Sequence, residues 1–352
     1  MSCGSSPSVA QVSCVRDEEE FLADNLRYHR ALGVARAYVV LDRCTDRSRE
    51  IAKPFPWVRT IDRDRSHGEE YLPHYLANSI TSVFEIARKE GFDWLLAVDA
   101  DEFASGESLP DGGGWRSSGL RHGFDSDPAR RGNLPRMLSR IAESTEVVSL
   151  ETVEIVPQRL RPGEPFWKNH FVQPRQRPSA IKRRMPDAPG GERHLRRCWF
   201  GHDQGKTLAR TSADLRLHNT HKWARASGPD ADRCDVVRIE RAGFHYHFNI
   251  SGADHWLQKY RRMAEYPDHW PSGKKVRFPK QAWKFATEHM SSDEARSYYR
   301  SWIAASPLEL IRAFALGRVA WDPYVDRVLA RAAKAESTMP GRAPAIDSHS
   351  HP

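Results

Sequence analysis

Two hydrophobic periods alternate along the first hundred residues. Ala10–Val15 alternates apolar and polar side chains and reads as a strand. Over Glu18–Leu32, residues Phe21, Leu22, Leu26 and Leu32 recur at helical spacing, and Gly33 is a helix stop. Val34–Leu41 is rich in β-branched and aromatic residues and reads as a buried strand. Asp46–Ala52 reads as a short helix ended by Pro54 and Pro56, Trp57–Ile61 as a strand, and Leu72–Glu90 as a long helix closed by Gly91. Asp93–Val98 is a short apolar run of strand length. Strands separated by helical segments predict an α/β fold with a mostly parallel sheet covered on both faces.

Beyond this point the pattern loosens. Leu109–Asn133 contains Gly112-Gly113-Gly114 without periodicity and reads as a loop or insertion. Leu134–Ser144 reads as a helix and Glu146–Val156 as a strand, while Pro157–Gly201 is irregular. Asp214–His218 and Val236–Phe248 read as strands; Trp256–Ala264 and Trp283–Ala333 read as helical, broken near Pro307 and at Pro323. Met339–Pro352 reads as a disordered tail.

Charge changes the picture in one place. Of 352 residues, 54 are Lys or Arg and 46 Asp or Glu, a net charge of +8. The stretch from Pro157 to Arg210 alone holds 13 basic and 4 acidic residues, so it accounts for the whole surplus. It is either a solvated loop or a flap that meets phosphate. Five cysteines without a C-x-x-C spacing read as reduced thiols. No apolar run approaches the ~18 residues of a membrane span. A cytoplasmic enzyme is the expectation, with peripheral contact at the inner membrane face left open.

In open α/β sheets ligands bind beyond the carboxyl ends of the strands, and the polar clusters sit at such ends. Arg16-Asp17-Glu18 follows the first strand, Asp42-Arg43-Cys44-Thr45-Asp46 the second, and Asp99-Ala100-Asp101-Glu102-Phe103 the fourth. Three acids within four positions repel one another, and a divalent cation removes that repulsion; oxygen ligands suit Mg²⁺ or Mn²⁺. A solvated turn with a helix cap is the plainer alternative.

These residues resemble a known family. Val15-Arg16-Asp17-Glu18, Tyr28-His29 with Leu32-Gly33-Val34, Asp42 through Ser48, and Asp93-Trp94 followed by Asp99 through Phe103 resemble, in order and spacing, the motifs of family 2-like and family 92-like glycosyltransferases of the D-x-DEF type. A weaker likeness, His245-Tyr246 with Ser251 and Lys259, matches a C-terminal element. The resemblance covers about a third of the chain. It implies a GT-A fold, a Rossmann-like sheet flanked by helices with a helical C-terminal extension, and a nucleotide-diphospho-sugar donor, a UDP-sugar first among them. The chain then divides into a flexible N-terminus (1–10), a catalytic domain (11–250) with a nucleotide half (11–108), an insertion (109–133) and an acceptor half (134–250), a helical region (251–336) and a tail (337–352). Asp17, Arg43 and Arg47 depart from the family's usual residues.

By motif position, Glu18 orients the nucleotide loop, Asp42 faces base or ribose, Asp99 lies near ribose and metal, and Asp101 ligates the metal. Lys206 and Arg210 are nucleotide-binding candidates for the leaving diphosphate, or ordinary surface charge. His218, at a strand end, is the expected third metal ligand. His245 and His247 share a strand face and read as a second metal site or a core-edge pair. Inverting transfer needs a base. Of Glu151 and Glu154, which point to opposite faces, Glu154 is nearer the carboxyl end of its strand and is the expected base. The acceptor is a glycan, a lipid-linked or a small molecule. Two other classes compete: a basic nucleic-acid-binding protein, disfavoured because acids cluster where phosphates would lie, and a metal-dependent hydrolase.

Overall fold

The computed structural model describes residues 6–63, 72–106, 133–159, 164–174, 183–185, 193–195, 205–264 and 278–337. The expected insertion up to 132, most of the basic stretch after Pro157 and the tail from Met339 lie outside the described residues.

The first strands and helices follow the pattern: β1 (Val9–Val15), α1 (Leu22–Ala31), β2 (Val34–Leu41), α2 (Ser48–Ala52), β3 (Val58–Asp62), α3 (Leu72–Lys89) and β4 (Trp94–Ala97). Then come β5 (Glu102–Ser105), α4 (Leu134–Leu138), β6 (Val147–Ile155), β7 (Phe171–Pro174), β8 (Arg183–Met185), β9 (Arg193–Leu195), β10 (Lys206–Arg210), β11 (Leu215–Asn219), β12 (Lys222–Arg225) and β13 (Ile239–His247). The C-terminal part is helical: α5 (Ala253–Ala264), α6 (Phe278–His289), α7 (Ser292–Tyr298), α8 (Pro307–Ala315) and α9 (Tyr324–Ser337), with β14 (Ala320–Trp321) between the last two.

One ten-stranded sheet organises the molecule, in the order β14-β7-β6-β10-β4-β1-β2-β3, with β13 pairing both β6 and β5. β3, β2, β1 and β4 run parallel. β10 enters antiparallel between β4 and β6. Of the parallel strands, β1, β2 and β4 are largely apolar on both faces because both faces are covered, whereas β3 at the sheet edge is mostly exposed. Val9, Val15, Val39 and Leu41 pack with Phe21, Leu22 and Leu26. Ala10, Val12, Tyr38 and Val40 pack with Val83, Phe84, Ala87 and Trp223. A further core around Trp256, Tyr260, Trp283 and Tyr299 holds the C-terminal helices together.

Four expectations are corrected. The first helix begins at Leu22 instead of Glu18, because Asp17 takes a left-handed φ of 55° and the Glu18 carbonyl accepts the Phe21 and Leu22 N–H groups in a turn. α4 ends at Leu138, where the Arg140 and Ile141 N–H groups bond only three residues back and the Ser139 hydroxyl takes the Arg136 carbonyl. The stretch Pro157–Gly201, expected to be irregular, contributes β7, β8 and β9. β5 and β10, short strands with charged residues at their starts, were not visible as strands.

Two glycines permit the close approaches that place the site. A Cβ on Gly205 would lie 1.8 Å from the Leu150 carbonyl oxygen, so glycine there lets β10 start against β6. Gly243, at φ 77°, sits where the β13–β6 register shifts; beyond it His245 pairs with Thr152 and His247 with Glu154.

Candidate active site

The turn from β4 to β5 carries Asp99, Asp101 and Glu102, and helix α1 holds it from below. Asn25 Nδ2 donates to the carbonyls of Asp99, Ala100 and Glu102 at 3.3, 3.0 and 2.7 Å. Gln11 Nε2 fixes the same amide by donating to Asn25 Oδ1 at 2.8 Å. The Tyr28 hydroxyl donates to the Ala104 carbonyl at 2.7 Å, and the Ala104 N–H donates to His29 Nε2 at 3.1 Å. An accepting Nε2 leaves the proton on Nδ1, which faces the Asn25 carbonyl at 3.0 Å. Burial lowers His29 to about 3, so it is a neutral strut. The Tyr28-His29 pair and the acidic turn are thus one unit. From the other side, the Phe248 N–H donates to the Asp101 carbonyl at 2.8 Å and ties in the end of β13.

Each acid of the turn meets a cation from a distant element. Lys206 Nζ donates to Asp99 Oδ2 at 2.7 Å and lies 3.1 Å from Glu102 Oε2. Lys259 Nζ, on α5, donates to Asp101 Oδ2 at 2.7 Å and to the Asn249 carbonyl at 3.1 Å. His247 lies between two acids, with Nδ1 3.0 Å from Glu154 Oε1 and Nε2 3.7 Å from Asp101 Oδ2. His245 Nε2 is 3.5 Å from Glu102 Oε1. Arg262, three residues beyond Lys259, donates to the Arg16 and Asp17 carbonyls and lies 3.7 Å from Glu18 Oε1.

The pairings decide the charge states. Burial alone would raise the Asp101 and Glu102 carboxyls, but Lys259 and His247 overcome it at Asp101, and Lys206 and His245 at Glu102, so both stay well below the usual carboxylate range. Burial opposes the charge on His247 as well; Glu154, then Asp101, outweighs it and lifts the imidazole to about 9. At Glu18 the balance runs the other way: burial, then the Asp101 charge, pushes the carboxyl up.

The loops after β1 and β2 are stitched together. Asp17 Oδ1 accepts from the Thr45 N–H at 2.7 Å and the Asp46 N–H at 3.3 Å. Asp46 Oδ2 accepts from the Glu19 N–H at 2.8 Å, and the Ser48 hydroxyl from the Glu18 N–H at 3.0 Å. Arg43, at φ 49°, is the other non-glycine residue in a left-handed conformation at these strand ends, a strain that persists only where the surroundings fix it. Asp42, buried beside it, bonds through its N–H to the Val15 carbonyl at 2.9 Å.

Glu18, Asp42, Asp99, Asp101 and Lys206 therefore gather at one end of the sheet. Two expected residues do not join them. Arg210 pairs with Trp94, the first residue of β4, at the far end of the same strand as Lys206. His218 is exposed on the β11–β12 hairpin and makes no ion pair with these acids among the described residues. Glu154 has no exposed surface and reaches the site through His247. The sequence pattern assigns no role to Asn25 or Arg262, includes Glu102 only as one of three clustered acids and Lys259 only in a C-terminal likeness, and reads His247 as half of a second metal site or core-edge pair. The period of two in His245 and His247 and the helical spacing of His255, Lys259 and Arg262 were the available signals.

The expected Mg²⁺ or Mn²⁺ can be tested against this donor set. Asp99 Oδ2 and Asp101 Oδ2 each accept an ammonium at 2.7 Å, and Glu102 Oε2 accepts the Asp99 N–H at 2.9 Å. A divalent ion between Asp99 and Asp101 would sit against two ammoniums and the raised imidazole of His247, so this arrangement does not fit one. The ligand atoms of Asp17, Cys44 and Asp46 also lie within 4.8 Å of one another. There the carboxylates are engaged by the backbone N–H groups of the loop stitch.

No family model and no curated protein matches the chain. Among solved structures, it is similar to a glucosyl-3-phosphoglycerate synthase from Mycobacterium tuberculosis in complex with phosphoglyceric acid, at 12% identity over 73% of this chain and 78% of that one, TM-score 0.32. It is also similar to a 4-diphosphocytidyl-2C-methyl-D-erythritol synthase, at 15% identity over 67% and 89%, TM-score 0.30. HddC from Yersinia pseudotuberculosis matches at 9% identity over 69% and 94%, TM-score 0.30. At these values the functional reading rests on the residues of this chain.

Proposed function

We propose that the chain is a glycosyltransferase that takes a nucleotide-diphospho-sugar donor at the carboxyl ends of β1, β2 and β4. The observation that carries this reading is the convergence of Lys206 and Lys259 on the Asp99–Glu102 turn, with Arg262 beside them on the stitched loops holding Glu18 and Asp42. Acids in this position suit hydroxyl groups of ribose and sugar, which donate hydrogen bonds; the cations suit a diphosphate, which only accepts them.

Breaking the glycosidic bond leaves charge on a nucleoside diphosphate, and fixed cations aimed at that charge stabilise the transition state without reorganising. Lys206 reaches the turn from β10 and Lys259 from α5, and Arg262 is bonded to the loop after β1. Asp99, whose side chain is 49% exposed, is the member of the turn open to a ligand. Asp42 faces the nucleoside. Glu154 keeps the His247 imidazolium turned toward Asp101, which makes it a positioning residue in place of the base expected from its strand position. Inverting transfer to a glycan, lipid-linked or small-molecule acceptor remains the reaction proposed.

A thermal-shift screen of nucleotide sugars, followed by product analysis with any stabilising donor, tests the reading. Stabilisation by one or a few donors and release of the nucleoside diphosphate are expected. Absence of stabilisation by every nucleotide sugar would overturn it.

A further inference from the structure

We propose that this donor site works without a divalent ion, with the Lys206 and Lys259 ammoniums and the Arg262 guanidinium supplying the positive charge that holds the diphosphate. The inference rests on the donor reading above and concerns the same site.

Three observations carry it. First, the acids of the turn are already neutralised from within the chain. Lys259 contacts Asp101 at 2.7 Å, and Lys206 spans Asp99 at 2.7 Å and Glu102 at 3.1 Å. The repulsion among neighbouring carboxylates, the reason for expecting a metal, is thereby offset by fixed ammoniums. Second, these cations are anchored. Lys206 begins β10 and is only 5% exposed, positioned by the close approach of Gly205 to the Leu150 carbonyl. Lys259 is also tied to the Asn249 carbonyl, and Arg262 to the Arg16 and Asp17 carbonyls, which fixes the end of α5 to the loop after β1. Third, the partners are unequal. Asp101 and Glu102 are buried, whereas the Asp99 side chain is half exposed. Asp99 can turn from Lys206 toward ligand hydroxyls, and Lys206 then transfers its hydrogen bond to a phosphate oxygen. Lys259 has one further N–H direction beyond its bonds to Asp101 and the Asn249 carbonyl, because an ammonium carries three donors. Diphosphate binding is thus an exchange of hydrogen-bond partners among groups already in place.

The test is calorimetric titration of the full chain with UDP, GDP, ADP and CDP in EDTA and, separately, in Mn²⁺. At least one of these nucleoside diphosphates is expected to bind with the same affinity in both buffers and more weakly as salt is raised. Lys259→Gln should weaken that binding by roughly 30-fold or more in both buffers, as expected for truncating one member of a buried charge pair. Lys259→Arg, which keeps the charge, should bind in EDTA. If Lys259→Gln fails to fold, Arg262→Gln, at the rim of the same cation set, carries the same expectation. Binding in Mn²⁺ that disappears in EDTA would overturn the inference and leave the donor reading standing. Failure of every nucleoside diphosphate to bind in either buffer would overturn both.

Discussion

The two ends of the β4–β10 strand pair both carry acidic and basic residues in sequence and are opposite in use. At the end where β4 stops, Asp99, Asp101 and Glu102 are paired with Lys206, Lys259, His245 and His247, all from other elements. At the end where β4 starts, the charges serve the backbone. Asp93 Oδ2 accepts the Ser8 N–H at 2.7 Å, and the Arg210 guanidinium donates to the Thr145 and Ala142 carbonyls at 2.8 and 3.2 Å while lying over the Trp94 ring at 4.3 Å. Charges that satisfy local carbonyls and N–H groups have no capacity left for a ligand. Charges that satisfy one another across long chain separations can exchange partners. The comparison predicts that substitutions at the first end act on turnover and those at the second act on stability.

The largest effect belongs to Asp101→Asn. It keeps the shape of the turn and removes the charge that orients Lys259 and His247. Loss of an electrostatic group of this kind costs about 10²–10³-fold in turnover. Steady-state kinetics with the donor found by the thermal-shift screen would show it, and a loss under ~10-fold would place the chemistry elsewhere.

Asn25→Ala should act on both properties. Its amide serves three carbonyls of the turn; that of Asp99 keeps the Glu102 N–H at 3.1 Å, while those of Ala100 and Glu102 lose this buried donor. A loss of about 1–3 kcal/mol in urea denaturation is expected. Turnover should fall by up to ~10²-fold, the effect of misplacing a catalytic group by ~1 Å. A stable variant with full turnover would detach the helix α1 buttress from function.

His29 extends the comparison to pH. Its folded value near 3 lies below the ordinary 6.5 because burial disfavours the charged ring. As pH falls below 6.5 the unfolded chain binds a proton that the folded chain refuses, so stability is full above that pH and declines toward 3. The slope attributable to this one group approaches ~1.4 kcal/mol per pH unit. His29→Gln should flatten the acid limb of a stability–pH curve; an unchanged limb would remove His29 as its source.

What could be read beforehand follows chain distance. Asp99 and Asp101 end a strand that directly follows a long helix, so their place came from local pattern alone, as did those of Glu18 and Asp42. Lys206 lay in a recognisable segment, but its position beside Asp99 depends on β10 running antiparallel between β4 and β6, which no local pattern encodes. His218 and His247 illustrate the same limit. Both lie at or near strand ends, and only the order of strands decides which histidine meets the acids: β13 pairs with β5 and β6, whereas β11, among the described residues, pairs with β12. Lys259 comes from a helix separated by 158 residues from Asp101, and Arg262 on the same helix by 245 residues from the Asp17 carbonyl it bonds.

The smallest expected effect on activity is also the sharpest test of the comparison. Arg210 shares strand β10 with Lys206, carries the same formal charge and was an equal candidate for the diphosphate in sequence. Arg210→Ala removes a cation–π contact and two hydrogen bonds to carbonyls, and should lower stability by about 2 kcal/mol. Its kcat/KM and nucleotide affinity should match the wild type, because the side chain sits against the start of β4 instead of its end. Lys206→Ala in the same assays should reverse the pattern of affinity, weakening nucleotide binding while Arg210→Ala does not. If Arg210→Ala instead weakened nucleotide binding as Lys206→Ala does, the division between the two ends of the strand pair would fail, and the diphosphate would have to lie along β10 instead of at its start.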